Sequence, residues 1–283
     1  RKRSNTEIKV SQLAGYISTE TSYHHGEQSL MSTVITMAQN FAGSNNVNLL
    51  APLGQFGTRL MGGKDHASPR YIFTRLTEDS LRLFSKYDDP LLDYLDDDGT
   101  PIEPRHYVPV LPVILLNGGE GIGTGYSCSV PCYNPEDVAS AVKKVVRGEP
   151  IGIIKPWYRG FSGDIVENEN KNGYISIGRY AIKNKNTIEI TELPVGRWTQ
   201  DYKEFLEKNT QLVTDFENHS TETQPKFVCK VADGVVNKTS SELTKLFKLS
   251  TSINTTNMHL FDPDGHIRKY DNVEEIIRDF VKS

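Results

Sequence analysis

The ten residues Gly62-Gly63-Lys64-Asp65-His66-Ala67-Ser68-Pro69-Arg70-Tyr71 are the most informative stretch of this 283-residue chain. A tyrosine hydroxyl is a weak nucleophile near neutral pH, because its ordinary pKa is about 10. A neighbouring cation improves it by stabilising the phenolate or the charge on the group under attack. Arg70 is adjacent to Tyr71, and two glycines give Lys64 the freedom to approach. The segment therefore predicts a site for attack on a phosphodiester.

An arginine next to a tyrosine is by itself more often a surface cation beside a buried ring, so the surrounding motifs decide the interpretation. The motifs, in chain order, are Tyr23-His24-His25-Gly26-Glu27, Gly54-Gln55-Phe56-Gly57-Thr58-Arg59, Asn117-Gly118-Gly119-Glu120-Gly121-Ile122-Gly123-Thr124-Gly125, Thr191-Glu192-Leu193-Pro194 and Phe261-Asp262-Pro263-Asp264-Gly265. In this order, and over nearly the whole chain, they resemble the breakage-reunion region of the type IIA DNA topoisomerases. The adjacent histidines and the intact Gly-Gly-Lys-Asp tetrad resemble the eukaryotic topoisomerase II branch more than the gyrases.

The resemblance implies an α+β chain with two domains. A winged-helix (CAP-like) DNA breakage-reunion domain is expected over residues 1–110, followed by a mixed α/β tower, or shoulder, domain over residues 111–283. In the family a Gly-Leu-Lys-Pro helix lies just upstream of the position where this sequence starts. The first domain is therefore expected to lack its N-terminal helix.

The resemblance also implies roles for individual residues. Tyr71 is expected to attack a DNA phosphodiester and form a 5′-phosphotyrosyl bond, while the planar guanidinium of Arg70 stabilises charge on the non-bridging oxygens. Contacts to DNA are expected from Tyr23, His24, His25, Ser29, Arg59, Lys64 and Ile122. Because glycines flank Ile122, this apolar side chain is expected to insert between base steps and kink the duplex.

The partners and cofactors follow from the same resemblance. The full-length enzyme is expected to be a nuclear homodimer that acts on double-stranded DNA, because one tyrosine per protomer cuts only one strand. Mg²⁺ and ATP are expected to be required and to bind outside this chain, so no metal ligand is assigned within it. The chain alone is expected to be inactive or nearly so.

Periodicity predicts the order of elements. Helices are indicated over residues 13–20, 27–41, 77–84 and 273–281, and another begins at Pro135 with Asn134 as its cap. Short extended pieces are indicated over residues 47–50 and 71–74. The pattern turns to strands over residues 163–166, 174–177, 187–190 and 226–231.

Composition excludes several classes of protein. The net charge is −4, but residues 1–75 hold eight Lys or Arg against four Asp or Glu, so one basic face can still bind phosphates. Residues 76–105 reverse this balance, with nine acidic against three basic side chains. No apolar run approaches a membrane span, and Arg1-Lys2-Arg3 does not open a signal peptide. The three cysteines are expected to be small packing residues in a reducing compartment.

Other interpretations remain open beside the enzyme. The first is a non-catalytic winged-helix module that only binds and bends DNA. A nucleotide-binding glycine loop is disfavoured, because Thr124 or Tyr126 stands where Gly-x-Gly-x-x-Gly needs its third glycine. The run Asp96-Asp97-Asp98 is interpreted as a solvated turn, since no further carboxylate is spaced to complete a metal site. A relative that cleaves DNA only in meiosis is disfavoured by the tower-like second half.

Overall fold

The structure is a computed structural model that describes residues 6–170 and 172–283. Helices and strands are interleaved along this part of the chain, which confirms the predicted mixture of α and β structure. The basic residues Arg1, Lys2 and Arg3, which contributed to the predicted basic face, lie outside the described residues. Of the helices in the described ranges, none has both the length and the apolar character that a bilayer crossing requires.

The described residues form eight α-helices and fifteen strands. The helices are α1 (Val10–Glu20), α2 (Glu27–Ala38), α3 (Glu78–Leu83), α4 (Val113–Asn117), α5 (Pro135–Val146), α6 (Thr199–Lys208), α7 (Ser240–Leu246) and α8 (Val273–Lys282). The strands are β1 (Ile8–Lys9), β2 (Phe73–Thr74), β3 (Tyr94–Asp97), β4 (Thr100–Pro104), β5 (Gly119–Gly123), β6 (Tyr126–Val130), β7 (Asp164–Glu167), β8 (Gly173–Ile177), β9 (Arg179–Asn184), β10 (Thr187–Glu192), β11 (Val213–Asn218), β12 (Phe227–Val231), β13 (Ser250–Asn254), β14 (Met258–Phe261) and β15 (Ile267–Tyr270).

Local chemistry accounts for several helix boundaries. The Asn134 side chain accepts a hydrogen bond from the Glu136 amide at 2.9 Å, so α5 begins where its cap and Pro135 predict. At the start of α3, the Thr77 hydroxyl likewise accepts from the Ser80 amide. The helix α2 ends at Ala38, three residues earlier than predicted, because Gln39 turns to an extended conformation.

The strands form small antiparallel sheets. The largest contains four strands in the order β11-β12-β10-β9, and a three-stranded sheet has the order β13-β8-β7. The other sheets are the two-stranded pairs β1-β2, β3-β4, β5-β6 and β14-β15. In the β1-β2 pair, Ile8 lies opposite Thr74, so the segment that follows Tyr71 is tied to the residues just before α1. The predicted extended piece over residues 47–50 forms only one isolated bridge, between Leu50 and Leu76.

Most of the buried hydrophobic residues form three clusters. The first core contains Val10, Val34, Ile35, Ala38, Leu50, Phe56 and Ile72. The second core contains Leu83, Leu115, Leu116, Val130, Tyr133, Val138, Ala141, Met258, Tyr270, Ile276 and Ile277. The third core contains Ile188, Ile190, Leu193, Tyr202, Leu206, Val213, Phe227, Cys229, Val231, Val235, Leu243, Phe247 and Leu249. Leu83 packs in the second core although it precedes residue 110, where the boundary between the two domains is predicted. That domain boundary stays a prediction.

The cysteines differ in their exposure. Burial raises the pKa of Cys132 to about 12 and that of Cys229 to about 12, because a thiolate is poorly solvated inside the protein. Cys128 is half-buried. At pH 8 only roughly one buried thiol in 10,000 would be ionised, and the thiolate is the reactive form.

We therefore expect iodoacetamide at pH 8 to alkylate Cys128 well before Cys132 and Cys229 in the native protein. Peptide mass mapping over a time course measures the three rates. The same reagent in urea should label all three at similar rates. Equal labelling of Cys132 and Cys128 in the native state would contradict the burial described above.

Candidate nucleic-acid interface

Tyr71 projects from a fixed stretch of backbone. Its side chain is 73% exposed, whereas the next residue, Ile72, is 2% exposed in the first core. The Tyr71 amide donates to the Ser68 carbonyl at 2.9 Å, which closes a turn immediately before the tyrosine. Burial of Ile72 therefore anchors the backbone while the phenol faces solvent, as does the exposed side chain of Arg70.

The first turn of α1 holds the same segment. The amide of Val10 donates to the Ile72 carbonyl at 3.0 Å, and that of Ser11 donates to the Pro69 carbonyl at 3.1 Å. These are amides at a helix N-terminus, which have no partner within their own helix. The tyrosine segment supplies their acceptors, so α1 and the backbone around Tyr71 are fixed together.

The glycine-rich loop before Tyr71 closes on itself. We call residues 57–65 the Thr58 loop, because Thr58 takes part in most of its internal hydrogen bonds. The Asp65 carboxylate accepts from the Thr58 amide at 2.8 Å and from the Thr58 hydroxyl, and the Gly63 amide donates to the Thr58 carbonyl at 2.9 Å. Gly57 has φ +94°, and a Cβ there would lie 2.4 Å from the Gly63 carbonyl oxygen. This closed loop presents Lys64 as an exposed cation.

The connection between α1 and α2 gathers most of the other predicted DNA contacts. The rings of Tyr23 and His25 meet edge to face with centroids 5.3 Å apart, and the Tyr23 hydroxyl donates to the Ser29 hydroxyl at 3.5 Å. His24, His25 and Ser29 are exposed. Ser29 lies in the first turn of α2, whose N-cap Gly26 makes no side-chain cap. Helix amides and adjacent imidazoles are suited to bind a phosphate oxygen.

Arg59 is buried, contrary to its predicted contact with DNA. Its side chain is 2% exposed, and its guanidinium forms an ion pair with Glu192, which is fully buried. The same nitrogen donates to the Leu193 carbonyl at 3.3 Å. The guanidinium therefore points into the protein, and the prediction that Arg59 contacts DNA is wrong for this structure. Glu192 lies 133 residues farther along the chain, and the motif around Arg59 gives no signal for it.

Ile122 lies at a distance from these groups along the chain, on the β5-β6 hairpin. It is opposite Ser127 in the strand pairing, and its side chain is 95% exposed. Among the described residues, apart from the two chain neighbours of Gly121, no atom lies within 4 Å of the position that its Cβ would take. The base of the hairpin is buried through Val130 in the second core. The glycine cluster is thus a strand pair and not a loop that enters a helix, so it lacks the geometry of a nucleotide-binding loop.

A second set of contacts fixes the hairpin from outside. The Ser129 amide donates to the Asn257 carbonyl at 2.8 Å, and the Asn257 amide side chain donates to the Ser127 hydroxyl at 2.8 Å. Gly118 has φ +66°, and a Cβ at this position would lie 2.6 Å from the Val130 carbonyl oxygen. The apolar tip is therefore held on a rigid base.

Two acidic turns, at Asp96 and at Asp262, offer carboxylates that could bind a metal, and neither belongs to the segment around Tyr71. Asp96 uses its carboxylate to accept from the Gly99 amide at 2.7 Å, in the turn between β3 and β4. Within the described residues, the one convergent group of metal-ligand side chains is Asp262, Asp264 and His266. There the Asp262 carboxylate already accepts from the amides of Asp264 and His266, at 3.0 and 2.8 Å. This group closes the turn between β14 and β15.

Comparison with known proteins identifies the family. The profile that describes the A subunits of DNA gyrase and topoisomerase IV matches residues 1–283. The chain is 47% identical to DNA topoisomerase 2 of Candida albicans over 287 residues, which cover 99% of this chain and 20% of that protein. It is 46% identical to human DNA topoisomerase 2-alpha over 291 residues, covering 100% of this chain and 19% of that protein. The chain thus spans about a fifth of the length of these relatives.

A solved structure agrees with the sequence comparison. The crystal structure of the Plasmodium falciparum topoisomerase II DNA-binding, cleavage and re-ligation domain matches with a TM-score of 0.95 and 46% identity. The match covers 98% of this chain and 39% of that one. The chain therefore belongs to the DNA gyrase/topoisomerase IV family, the type IIA DNA topoisomerases, as a breakage-reunion segment of the eukaryotic topoisomerase II type.

Proposed function

We propose that this chain carries the DNA-cleaving tyrosine of an ATP-dependent type II DNA topoisomerase, an isomerase that passes one duplex through another. The observation that carries the proposal is the position of Tyr71. Its phenol is 73% exposed on a backbone fixed by Ile72 and α1, with the exposed cations of Arg70 and Lys64 in the same segment. A nucleophile on a fixed backbone, with exposed cations in the same segment, is suited to attack on a phosphodiester.

The chemistry proposed for Tyr71 is a transesterification. The phenolic oxygen attacks the phosphorus of one strand and forms a 5′-phosphotyrosyl bond. The bond from phosphorus to the 3′ oxygen breaks, and the proton lost by the phenol is balanced by the proton that the 3′ oxygen gains. The bond energy is retained in the covalent link, so the reverse attack reseals the strand without an external energy source.

Arg70 supplies the charge that this reaction needs. Negative charge accumulates on the non-bridging oxygens as phosphorus gains its fifth ligand, and a guanidinium offers two parallel donors to them. His24, His25 and Lys64 are proposed to hold the scissile phosphate or to assist proton transfer from the phenol to the 3′ oxygen. Tyr23 and Ser29 are proposed to donate hydroxyl hydrogen bonds to the DNA backbone.

The larger assembly is also a proposal. The first core is proposed to belong to a winged-helix domain over residues 1–110, and the remaining residues to a tower domain over residues 111–283. Two copies are proposed to form a homodimer in the nucleus, because a double-strand break needs two tyrosines. Relatives five times as long leave room for an ATPase module and for a magnesium-binding module elsewhere in the polypeptide. The isolated chain is then inactive or nearly so.

We assign Mg²⁺ to that other module because of the donors that this chain offers. The Asp262 carboxylate is half-buried and accepts hydrogen bonds within its own turn, and Asp264 is exposed, so this pair does not fit a catalytic magnesium centre serving Tyr71. When bound elsewhere, the ion would stabilise charge on the phosphate. No step assigned to this chain depends on it.

Covalent capture of DNA tests the proposal. The full-length enzyme is incubated with Mg²⁺ and duplex DNA labelled at either the 5′ or the 3′ ends, and the reaction is stopped with denaturant. We expect protein covalently attached to newly formed 5′ ends and free 3′ hydroxyls. Attachment to 3′ ends would contradict the proposed polarity.

One observation favours a second candidate function. The 95% exposed side chain of Ile122 suits a module that binds and bends DNA without cutting it. This alternative has no use for the exposed Tyr71 beside Arg70. DNA that is bound and bent by the full-length protein but never captured covalently would favour it.

The proposed insertion of Ile122 between base pairs, as an apolar wedge, gives a separate prediction. Replacing Ile122 with alanine should reduce the bend of the bound duplex by more than half, because an inserted apolar side chain kinks DNA by about 20–90°. The dissociation constant should change by less than about tenfold, since phosphate contacts supply most of the affinity. Energy transfer between dyes at the two duplex ends measures the bend.

Ile153→Ala provides the matched control, because Ile153 is an 87% exposed isoleucine outside the hairpin. It should leave both the bend and the affinity unchanged. Bend angles that are equal in the Ile122 variant and the unmodified enzyme would remove the wedge assignment.

A further inference from the structure

The Thr58 loop is fastened to a part of the chain more than 120 residues away. Its Arg59 guanidinium forms the buried ion pair with Glu192, at the end of β10, with exposed side-chain fractions of 2% and 0%. The Arg59 amide also donates to the Glu222 carbonyl at 3.3 Å. The loop that leads to Tyr71 is therefore held from outside the first core.

The start of α6 receives the loop backbone. The Gln200 amide donates to the Leu60 carbonyl at 2.9 Å, and the Thr199 amide donates to the Arg59 carbonyl at 3.5 Å. The N-cap of α6 makes no side-chain hydrogen bond, so the carbonyls of the Thr58 loop take the place of a capping side chain. At Gly62 the loop lies so close to Trp198 that a Cβ would come within 2.4 Å of the indole.

Glu192 is itself tightly held. Its carboxylate accepts from the Ser162 amide at 3.0 Å, from the Ser162 hydroxyl at 2.9 Å and from the Leu193 amide at 2.8 Å, besides Arg59. Both oxygens of this buried carboxylate therefore have hydrogen-bond donors. On the other side of the pair, Nε and Nη1 of Arg59 have no hydrogen-bond partner among the described residues. Glu192 is thus the group that balances the buried charge of Arg59.

Hydrogen bonds connect the Thr58 loop to the segment that ends in Tyr71. Asp65 joins Thr58 across the loop, so Lys64 is held between them. The Gln39 side chain donates to the Phe56 carbonyl at 2.9 Å and to the Gly63 carbonyl at 3.2 Å, and links both ends of the loop to α2. The Ala67 amide then donates to the Gln55 carbonyl at 2.9 Å, four residues before Tyr71.

We infer that Glu192 is a positioning residue for DNA cleavage, acting through Arg59 to place Lys64 and the segment that ends in Tyr71. The inference rests on the proposed function, since it concerns the same site. The Glu192 side chain is fully buried and offers no surface to DNA, so its loss should affect the chemical step more than binding. Misplacement of reacting groups by about 1 Å lowers a rate by roughly 100-fold.

The test uses the full-length enzyme with Glu192→Gln, which preserves the shape of the side chain and removes its charge. We expect the single-turnover rate of covalent capture at saturating DNA to fall by about 10- to 100-fold. The dissociation constant for DNA, measured without cleavage, should stay within about threefold. Both measurements are made at a temperature at which circular dichroism shows the variant to be folded.

Two controls separate positioning from general damage. Glu189→Gln makes the same substitution earlier in β10, at a residue paired with Lys183. Leu206→Ala destabilises the third core, since Leu206 is 1% exposed. Each control should keep the capture rate within about twofold at the same degree of folding. Equal losses of capture rate in Glu192→Gln and Leu206→Ala would overturn the inference.

A gentler variant covers the case in which Glu192→Gln does not fold. Arg59→Lys keeps a cation opposite the carboxylate but loses the planar fork. It should slow capture with little change in DNA binding, and an unchanged capture rate would count against the inference. If the unmodified enzyme captured no DNA covalently, the proposed function would be refuted instead. The contacts of Glu192 described above would not be affected by that result.

Discussion

Replacing Tyr71 with phenylalanine in the full-length enzyme is expected to abolish covalent capture of DNA. The substitution removes the attacking oxygen and leaves a ring of nearly the same size. Tyr71 is 73% exposed and its ring lies outside the three cores, so the free energy of unfolding should change by less than about 0.5 kcal/mol. The dissociation constant for DNA should stay within a factor of a few, because phosphate contacts elsewhere dominate affinity.

The measurement is a denaturant-quenched cleavage assay run beside a binding titration. Tyr87→Phe is a suitable control, because Tyr87 is 78% exposed and lies outside the proposed site. That variant should capture DNA at the rate of the unmodified enzyme. Persistent covalent capture by the Tyr71 variant would show that another residue is the nucleophile.

Replacing Arg70 with lysine should slow cleavage by about 100-fold, although the positive charge is kept. An ammonium group cannot offer two parallel donors to the non-bridging oxygens. Removal of one preorganised donor to a developing oxyanion lowers rates by about 100- to 1000-fold. DNA binding should weaken only slightly, because the charge remains.

Single-turnover cleavage at saturating DNA gives this rate directly. Arg75→Lys offers a matched control, because Arg75 lies just beyond β2 and has no assigned role in the reaction. A tenfold loss of affinity with an unchanged cleavage rate would indicate that Arg70 binds the DNA backbone and takes no part in the chemical step.

Elements set by neighbouring residues could be predicted from the sequence. Asn134 and Pro135 mark the start of α5 because the cap and the first-turn proline act within three residues of each other. The end of α2 could not be predicted in the same way. Gln39 leaves the helix where its side chain donates to the carbonyls of Phe56 and Gly63, and the second of these is 24 residues away.

The candidate site likewise contains features that the sequence could predict and one that it could not. The roles predicted for Lys64, Arg70 and Tyr71 require exposed side chains, and all three are exposed. Their roles in cleavage remain predictions. Arg59 belongs to the same run of residues, but its direction depends on Glu192, which is 133 residues farther along the chain. Periodicity and local motifs carry no information about such a partner, so the sequence could not separate an inward arginine from an outward one.

The hairpin tip that carries Ile122 bears on where a duplex would be opened. Gly121, Ile122 and Gly123 have no side-chain hydrogen-bond donor or acceptor, so their side chains cannot read base edges by hydrogen bonding. An apolar wedge responds instead to how easily adjacent base pairs unstack, and pyrimidine–purine steps yield most readily. The cleavage position would then depend on the local flexibility of the double helix and not on hydrogen bonds from these side chains to particular bases.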